Sequence, residues 1–261
     1  MADLLTFYSE VYAEDRRLTD TAHGRLEFVR TQEILRAQLP QPPAKVLDVG
    51  GATGVHSRWL ATDGYDVTLV DPVPEQVRVA AEIPGVKARR VGDARSLEET
   101  DSCVDAVIML GPLYHLLERS ERLAAIAEAV RVRVVRPGGL VAAAAVSRHA
   151  PGLDLASRGL LDEALTQVAG QVLATGRGSV VHDNFMDLAY LHSPEDLTDE
   201  MLAGGCADVL TYGLEGPAWT AADVSGTPEV QECALRLARL LELDPRIRAA
   251  SAHLLAIGHK P

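Results

Sequence analysis

The chain has 261 residues, 47% hydrophobic and 24% charged, a composition typical of one globular domain with a modest appendage. Its formal net charge of −12 disfavours nucleic acid as a partner, because phosphate binding needs a concentrated basic surface. No apolar run approaches the ~18 residues of a membrane helix, and the amino-terminal stretch does not have the pattern of a signal peptide. The three cysteines form no CxxC pair. We therefore expect a cytoplasmic protein without disulfides or a membrane segment.

Apolar residues recur at helical spacing through residues 2–40, which predicts amino-terminal helices that end at the proline-rich stretch 39–43. Short apolar runs then alternate with helical segments. Strands are predicted at 45–49, 66–70, 86–91, 104–110 and 139–146, and helices at 55–62, 74–82 and 118–133. Pro137-Gly138-Gly139 predicts a tight stop before the fifth strand. This alternation indicates a doubly wound α/β fold with a mostly parallel, seven-stranded sheet.

After residue 147 the pattern loosens, and we predict that residues 148–192 form an insertion that covers the sheet edge as a lid. Its predicted features are helical pieces at 153–173 and a turn at Gly176 and Gly178. Beyond it, Ser193 and Asp196 form a capping box that opens a helix. Two closing strands are predicted at 206–214 and 252–259, with a helix at 228–243 between them. The predicted domains are an amino-terminal helical cap, residues 1–43, and one α/β domain, residues 44–261.

Residues 46–54 join a predicted buried strand to a helix through a glycine-rich turn, the geometry in which open α/β sheets bind nucleotides. The turn contains three glycines, Gly50, Gly51 and Gly54. It does not match the GxGxxG dinucleotide fingerprint, because Ala52 and Val55 stand where two of the glycines belong. The carboxylate of Asp48 would repel a pyrophosphate, but it suits a ligand that carries a cationic amino group.

Acidic residues also follow the next two predicted strands. Asp71 can accept two hydrogen bonds from a ribose diol, and Asp93 can accept one from an exocyclic adenine amine. Three carboxylates at three consecutive strand ends suit a nucleoside with a cationic tail better than a polyphosphate.

Residues 44–147 resemble the class I S-adenosylmethionine-dependent methyltransferases, in particular the bacterial enzymes that act on small molecules. The glycine loop and acids carry the resemblance, together with Leu-Gly-Pro-Leu-Tyr-His-Leu at 110–116 and Arg-Pro-Gly-Gly-Leu at 136–140. The resemblance implies S-adenosylmethionine as cofactor, held by Asp48, Gly50, Gly51, Gly54, Asp71, Pro72, Asp93, Ala94 and Leu110. Ala52 departs from the usual glycine, and we expect its methyl group to be tolerated at a negative φ.

Methyl transfer from a sulfonium is an in-line displacement that needs alignment, desolvation and, for a hydroxyl acceptor, a base. In this architecture the segment after the fourth strand faces the transferable methyl. His115 is therefore the predicted base, and the alternative is a helix-start histidine that donates to a carbonyl. Tyr114 is a predicted pocket wall. His192 is a second candidate for substrate contact, and its alternative is a surface residue before a helix cap.

We therefore predict a methyltransferase that acts on an oxygen or nitrogen of a small-molecule metabolite. No cluster of Asp, Asn and Glu follows the fourth strand, so metal assistance is not expected. The failed fingerprint disfavours a nicotinamide-dependent oxidoreductase. The acidic balance disfavours a nucleic-acid methyltransferase, and a non-catalytic subunit that binds the donor stays open. The acceptor and the oligomeric state are not readable from the sequence.

Overall fold

The structure is a computed structural model that describes residues 18–100, 103–131, 135–182 and 185–261. The described helices are α1 Ala22–Gln38, α2 Val55–Thr62, α3 Pro74–Ala80, α4 Arg119–Val130, α5 Ala150–Ser157, α6 Glu163–Thr175, α7 Pro194–Ala203, α8 Trp219–Ser225 and α9 Pro228–Leu241. The described strands are β1 Lys45–Val49, β2 Asp66–Asp71, β3 Val86–Val91, β4 Val104–Met109, β5 Val135–Val146, β6 Arg177–His182, β7 Phe185–Tyr190, β8 Ala207–Gly213 and β9 His253–His259. None of the described helices is long and apolar enough to cross a bilayer.

Seven strands form one sheet in the order β3-β2-β1-β4-β5-β9-β8, which confirms the predicted doubly wound, mostly parallel architecture. Only β9 runs against its neighbours β5 and β8. The central strands β1 and β4 read as apolar runs because helices cover both faces of the sheet. Val46 and Ile108 pack into the core on one face, and Leu47 and Val107 pack into the core on the other.

The strand directions bring many segments to one edge of the sheet. The parallel strands β1 to β5 end there, β8 ends there as well, and the antiparallel β9 begins there. Residues that follow β1, β2, β3, β4 and β8, or that open β9, are therefore neighbours in space although they are far apart in sequence.

The fifth strand differs from its prediction. It begins at Val135, so Pro137-Gly138-Gly139 lies within the strand, and the prediction of a tight stop there was wrong. The pairing of β4 with β5 is irregular at this point, because Val104 faces Val135 while Ala106 faces Leu140. This change of register accommodates a proline that cannot donate a ladder hydrogen bond.

The insertion at 148–192 contains α5, α6 and a two-stranded antiparallel hairpin of β6 and β7 that the sequence analysis did not predict. Gly176 ends α6 in the left-handed conformation, as a turn glycine does, whereas Gly178 lies within β6. The role of this insertion as a lid stays a prediction. The capping box of Ser193 and Asp196 at the start of α7 is confirmed.

The amino-terminal helix α1 packs against the carboxyl-terminal helices. Leu26 of α1 lies in a buried cluster with Trp219 and Ala222 of α8 and Ala234 of α9. Residues 1–17 of the predicted helical cap lie outside the described residues, and the proposed boundary at residue 43 stays a prediction.

The loop after β1 has an unusual backbone at Ala52. Gly50 and Gly54 have positive φ angles of 71° and 86°, and Ala52 joins them with a φ of 48°, so the expectation of a negative φ there was wrong. The left-handed conformation costs a residue with a Cβ about 1–2 kcal/mol. The Ala52 amide donates a 2.9 Å hydrogen bond to Asp71 Oδ2, which explains why this conformation is kept.

We expect Ala52→Gly to raise the free energy of unfolding by about 0.5–1 kcal/mol. Glycine removes the strain of the left-handed conformation, and this gain exceeds the cost of the greater conformational entropy that glycine gives the unfolded chain. The matched control is Ala124→Gly on the exposed face of α4, which should lower the same quantity by about 1 kcal/mol. Urea unfolding of both variants measures the effect. A loss of stability in Ala52→Gly would contradict the strain at this position.

Candidate functional site

A cavity of about 220 Å³ lies at the edge of the sheet where the parallel strands end. Eight of the nine residues predicted to hold the cofactor line it: Asp48, Gly50, Gly51, Asp71, Pro72, Asp93, Ala94 and Leu110. Tyr114 and His115 line it as well. The structure therefore brings the glycine loop, the three strand-end acids and the segment after β4 around one space.

Gly54 is not among the residues that line the cavity. It is the residue that precedes α2, and a Cβ on it would collide with Ile83. Gly51 has a different role, because a Cβ there would lie 2.9 Å from Cγ of Asp48 and 2.8 Å from Leu69. Gly54 permits close packing at the start of α2, and Gly51 leaves room for the Asp48 carboxylate.

Asp48 is the most deeply buried acid of the cavity, with 1% of its surface exposed. Burial raises its pKa to about 7, although a 2.7 Å hydrogen bond from Ser57 Oγ to Asp48 Oδ2 lowers it and the nearby Asp71 raises it further. Near neutral pH this group is poised between its neutral and ionised forms.

Asp71 ends β2 and is 5% exposed. Burial raises its pKa, while the amides of Val73 and Ala52 counteract that rise by donating to its two oxygens, each at 2.9 Å. Each carboxylate oxygen can accept a further hydrogen bond. The backbone thus fixes the orientation of this carboxylate and leaves acceptor capacity for a ligand.

Asp93 is held differently from the other two acids. The side chain of Arg95 donates to Oδ2 at 2.6 Å, and its backbone amide donates to Oδ1 at 2.8 Å. The hydrogen bonds from Arg95 lower the pKa of Asp93, so this group is ionised at neutral pH. Arg95 also pairs with Glu121 on α4, which ties the loop after β3 to that helix.

Tyr114 and His115 lie in a short 3₁₀ turn, Leu113–His115, between β4 and α4. Their ring centroids are 4.1 Å apart with an interplanar angle of 51°. The turn precedes Glu118, which is the residue before α4, so His115 does not lie at the start of that helix. Both residues line the cavity, and their roles as wall and base stay predictions.

His192 does not line the cavity along the described part of the chain, so the structure gives no support to a substrate contact there. The alternative of a surface residue is wrong, because His192 is fully buried. Its Nε2 lies 3.2 Å from Oε2 of Glu200, which in turn accepts two hydrogen bonds at 2.9 and 2.7 Å from the buried Arg122. Burial lowers the pKa of His192, so the imidazole is neutral and donates to the carboxylate.

This buried group supports the loop before α4. Burial alone would raise the pKa of Glu200, but hydrogen bonds from His192 and Arg122 outweigh it and lower that pKa to about 2. Arg122 also donates to the carbonyls of Leu116 and Leu117 at 2.8 and 2.9 Å. Since Leu116 lines the cavity, the Arg122 guanidinium fixes part of the cavity wall from behind.

Sequence reasoning missed several lining residues that come from other elements, among them Glu27, Thr31, Gln76, Ala144 and Leu214. Glu27 and Thr31 lie one turn apart on α1, so they share a helix face. The spacing of these two residues was the available signal that α1 contributes to the site. A polar helix face is equally typical of a solvated surface, so the sequence alone did not distinguish the two.

Comparison with known proteins agrees with this geometry. Residues 46–139 match the family model described as a methyltransferase domain. An uncharacterized methyltransferase of Mycobacterium tuberculosis is 35% identical over 136 residues, which are 52% of this chain and 49% of that protein. A ubiquinone biosynthesis O-methyltransferase of a Methylobacterium species is 33% identical over 67% of this chain and 65% of its own length. The crystal structure of an S-adenosylmethionine-dependent methyltransferase from Methanosarcina mazei superposes with a TM-score of 0.57 at 21% identity, covering 87% of this chain and 96% of that one.

The chain carries a methyltransferase domain at residues 46–139 and has the fold of S-adenosylmethionine-dependent methyltransferases. It spans about half the length of the Mycobacterium tuberculosis relative. S-adenosylmethionine is the cofactor of this family, and the cavity has the chemistry to fit it. Neither Asp48 nor Asp71 forms an ion pair within the described residues, so two buried carboxylates face the space where a cationic nucleoside would lie.

We expect Asp48→Asn to stabilise the protein in the absence of ligand. A folded-state pKa of about 7, raised from 3.8, means that the stability contributed by this group at low pH is lost as pH rises through 7. The variant should therefore gain about 2–4 kcal/mol in unfolding free energy at pH 8.5, since one pKa unit corresponds to about 1.4 kcal/mol. Urea unfolding from pH 4 to 8.5 measures this gain, which should shrink towards pH 4. A gain that does not vary with pH would contradict the raised pKa.

Proposed function

We propose that this protein binds S-adenosylmethionine in the cavity and transfers its methyl group to an oxygen or nitrogen of a small-molecule metabolite. The observation that carries the proposal is the pair of buried carboxylates, Asp48 and Asp71, at the ends of the adjacent strands β1 and β2. Buried charges without ion-pair partners are costly, and a positively charged ligand relieves that cost.

The proposed cofactor contacts follow from the position of each acid. Asp48, Gly50 and Gly51 lie together at the end of β1, and the Asp48 carboxylate suits the ammonium-bearing methionine part. Asp71 has the acceptor capacity for two ribose hydroxyls.

The adenine would lie further along the edge of the sheet, beside β3 and β4. Pro72, Ala94 and Leu110 offer apolar surface for a base, and Asp93 offers a fixed acceptor. Gly54 supports the loop without reaching the ligand.

When bound, the cofactor supplies an activated methyl group, so the protein has to orient the acceptor, exclude water and accept a proton where the acceptor is a hydroxyl. His115 is the proposed base, because it lines the cavity and a histidine side chain ordinarily titrates near ~6.5. The ring of Tyr114 lies beside it at a tilt of 51°, and Tyr114 forms part of the wall. A phenol with a pKa of ~10 is poorly matched to proton removal at neutral pH.

A small-molecule acceptor agrees with two observations. The cavity of about 220 Å³ is partly enclosed by α1 and by the segment after β4. In addition, the Methylobacterium relative is named as an O-methyltransferase of ubiquinone biosynthesis, a reaction on a small molecule. The acidic surface of the chain gives no support to a nucleic-acid acceptor.

The direct test is isothermal titration calorimetry with S-adenosylhomocysteine and with NAD, where only the former should bind. Asp71→Asn should weaken S-adenosylhomocysteine binding by about 1–3 kcal/mol through loss of charged hydrogen bonds. The matched control is Asp66→Asn at the opposite end of the same strand, where the carboxylate pairs with Lys87 on the surface and should leave the affinity unchanged.

Equal affinities of the wild type and Asp71→Asn would contradict the ribose assignment. Binding of NAD alone would favour the oxidoreductase alternative. Binding of S-adenosylhomocysteine without turnover of S-adenosylmethionine on any acceptor tested would favour a non-catalytic donor-binding subunit.

A further inference from the structure

A second cavity, of about 360 Å³, is formed by the insertion and the segment that leads into β9. Its lining comes from the start of α5, from α6 and from the residues between α9 and β9. Among the described residues, none lines both this cavity and the one that the strand-end acids line. Its volume lies within the range of about 300–1,000 Å³ that small-molecule sites occupy, so it can take a ligand of its own.

Most of the lining of the second cavity is apolar. Two of its leucines, Leu153 of α5 and Leu173 of α6, are 38% and 44% exposed, so part of this apolar surface is in contact with water. A ligand with an apolar body would remove that surface from water. The other apolar residues of the lining are Ala169, Ile247, Ala249 and Ala250.

The polar side chains of the second cavity are basic. Arg148, His149 and Arg246 line it, and its described lining contains no aspartate or glutamate. The two arginines pair with acids outside the lining, Arg148 with Asp196 and Arg246 with Asp244. In a chain with a net charge of −12, a lining without acids gives no support to a cationic ligand.

Two of these basic side chains bury a nitrogen that has no hydrogen-bond partner within the described residues: Nε of Arg148 and Nδ1 of His149. The outer nitrogens of Arg148 are engaged, because the guanidinium pairs with Asp196 and Nη1 donates to the carbonyl of Leu173 at 3.4 Å. These contacts hold the guanidinium in place and do not use Nε. Buried polar groups are almost always hydrogen-bonded, so two unpartnered nitrogens on adjacent residues of one cavity point to a ligand.

The chemistry of the two nitrogens indicates which group they bind. Nε of an arginine can only donate a hydrogen bond, and Nδ1 of a histidine donates when it carries the ring hydrogen. Burial and the neighbouring Arg148 lower the pKa of His149, so its imidazole is neutral and has one such hydrogen. A carboxylate offers two charged acceptor oxygens, and its hydrogen bonds with a guanidinium are about twice as strong as those between neutral groups.

We propose that the second cavity is a binding site for an organic carboxylate with a short aliphatic body. Nε of Arg148 and Nδ1 of His149 donate to the carboxylate, and the apolar lining encloses the aliphatic body. The inference is independent of the proposed function, because the site shares no described lining residue with the cavity assigned to the cofactor.

The test is a titration of the full chain with hexanoate, 1-hexanol and inorganic phosphate, followed through the amide shifts of Gly152 and Ala169 in proton–nitrogen correlation spectra. Both residues line the second cavity. Hexanoate should bind at least about tenfold more tightly than 1-hexanol, which has the same carbon chain without the carboxylate. It should also bind at least about tenfold more tightly than phosphate, an anion without an apolar body.

Arg148→Lys keeps the charge that pairs with Asp196 but removes Nε, and it should weaken hexanoate binding about tenfold. The matched control is Arg158→Lys, which alters an arginine that pairs with Asp154 and Asp223 and does not line the cavity. This control should keep the full affinity for hexanoate.

Ala169→Phe is a second variant, which fills the cavity from α6 and leaves Arg148 in place. It should abolish hexanoate binding, whereas Ala164→Phe at an exposed position of the same helix should not change it. The inference would be overturned if hexanoate caused no shift at Gly152 and Ala169, or shifted only Gly50 and Gly51 of the other cavity. Binding of 1-hexanol or phosphate as tight as that of hexanoate, or full hexanoate affinity in either Arg148→Lys or Ala169→Phe, would overturn it too.

Discussion

Burial of two carboxylates at the ends of adjacent strands is the constraint on which the rest of the site depends. Asp48 and Asp71 are both almost inaccessible to solvent, yet neither has a cationic partner among the described residues. Such an arrangement opposes folding, since a charge taken out of water is stable only with compensation. The local backbone is built around it: Gly51 leaves space for Asp48, and Ala52 adopts a left-handed conformation to donate to Asp71. Destabilising features of this kind are expected where a protein binds a ligand.

The sheet topology places side chains of different chemical character along one edge of the sheet. The first three strands end in acids that suit a nucleoside with a cationic tail. On the other side of β4 and β5, the edge is formed by the end of β8 and the start of β9, where Glu215 and His253 meet Glu27. Between them stands the turn with Tyr114 and His115, supported from behind by Arg122.

Much of this architecture was predictable because it follows from local pattern. Apolar strands flanked by helices predict a parallel sheet, and acids directly after those strands must gather at one edge. Ala52 was not predictable, because its positive φ depends on a hydrogen bond to Asp71 on another strand. The fifth strand was predicted too short because the irregular register with β4 tolerates Pro137 within it.

The residues that were misplaced or missed depend on long-range packing. The burial of His192 depends on Glu200 of α7, which is itself held by Arg122 of α4, a pairing that no local pattern encodes. Glu27, Glu215 and His253 come from a helix, a strand end and a strand start that only the tertiary fold brings together. Each of these residues taken alone reads as a solvated side chain.

The most direct test of the buried carboxylates is the number of protons released when S-adenosylhomocysteine binds, obtained by calorimetry at pH 6.5 in buffers of different ionisation enthalpy. With a pKa of about 7, Asp48 is largely protonated before binding, and the ammonium group of the ligand should ionise it. The account predicts release of about half a proton or more by the wild type and none by a variant with asparagine at this position. Binding without proton release by the wild type would show that the ligand does not engage Asp48, and it would contradict the account.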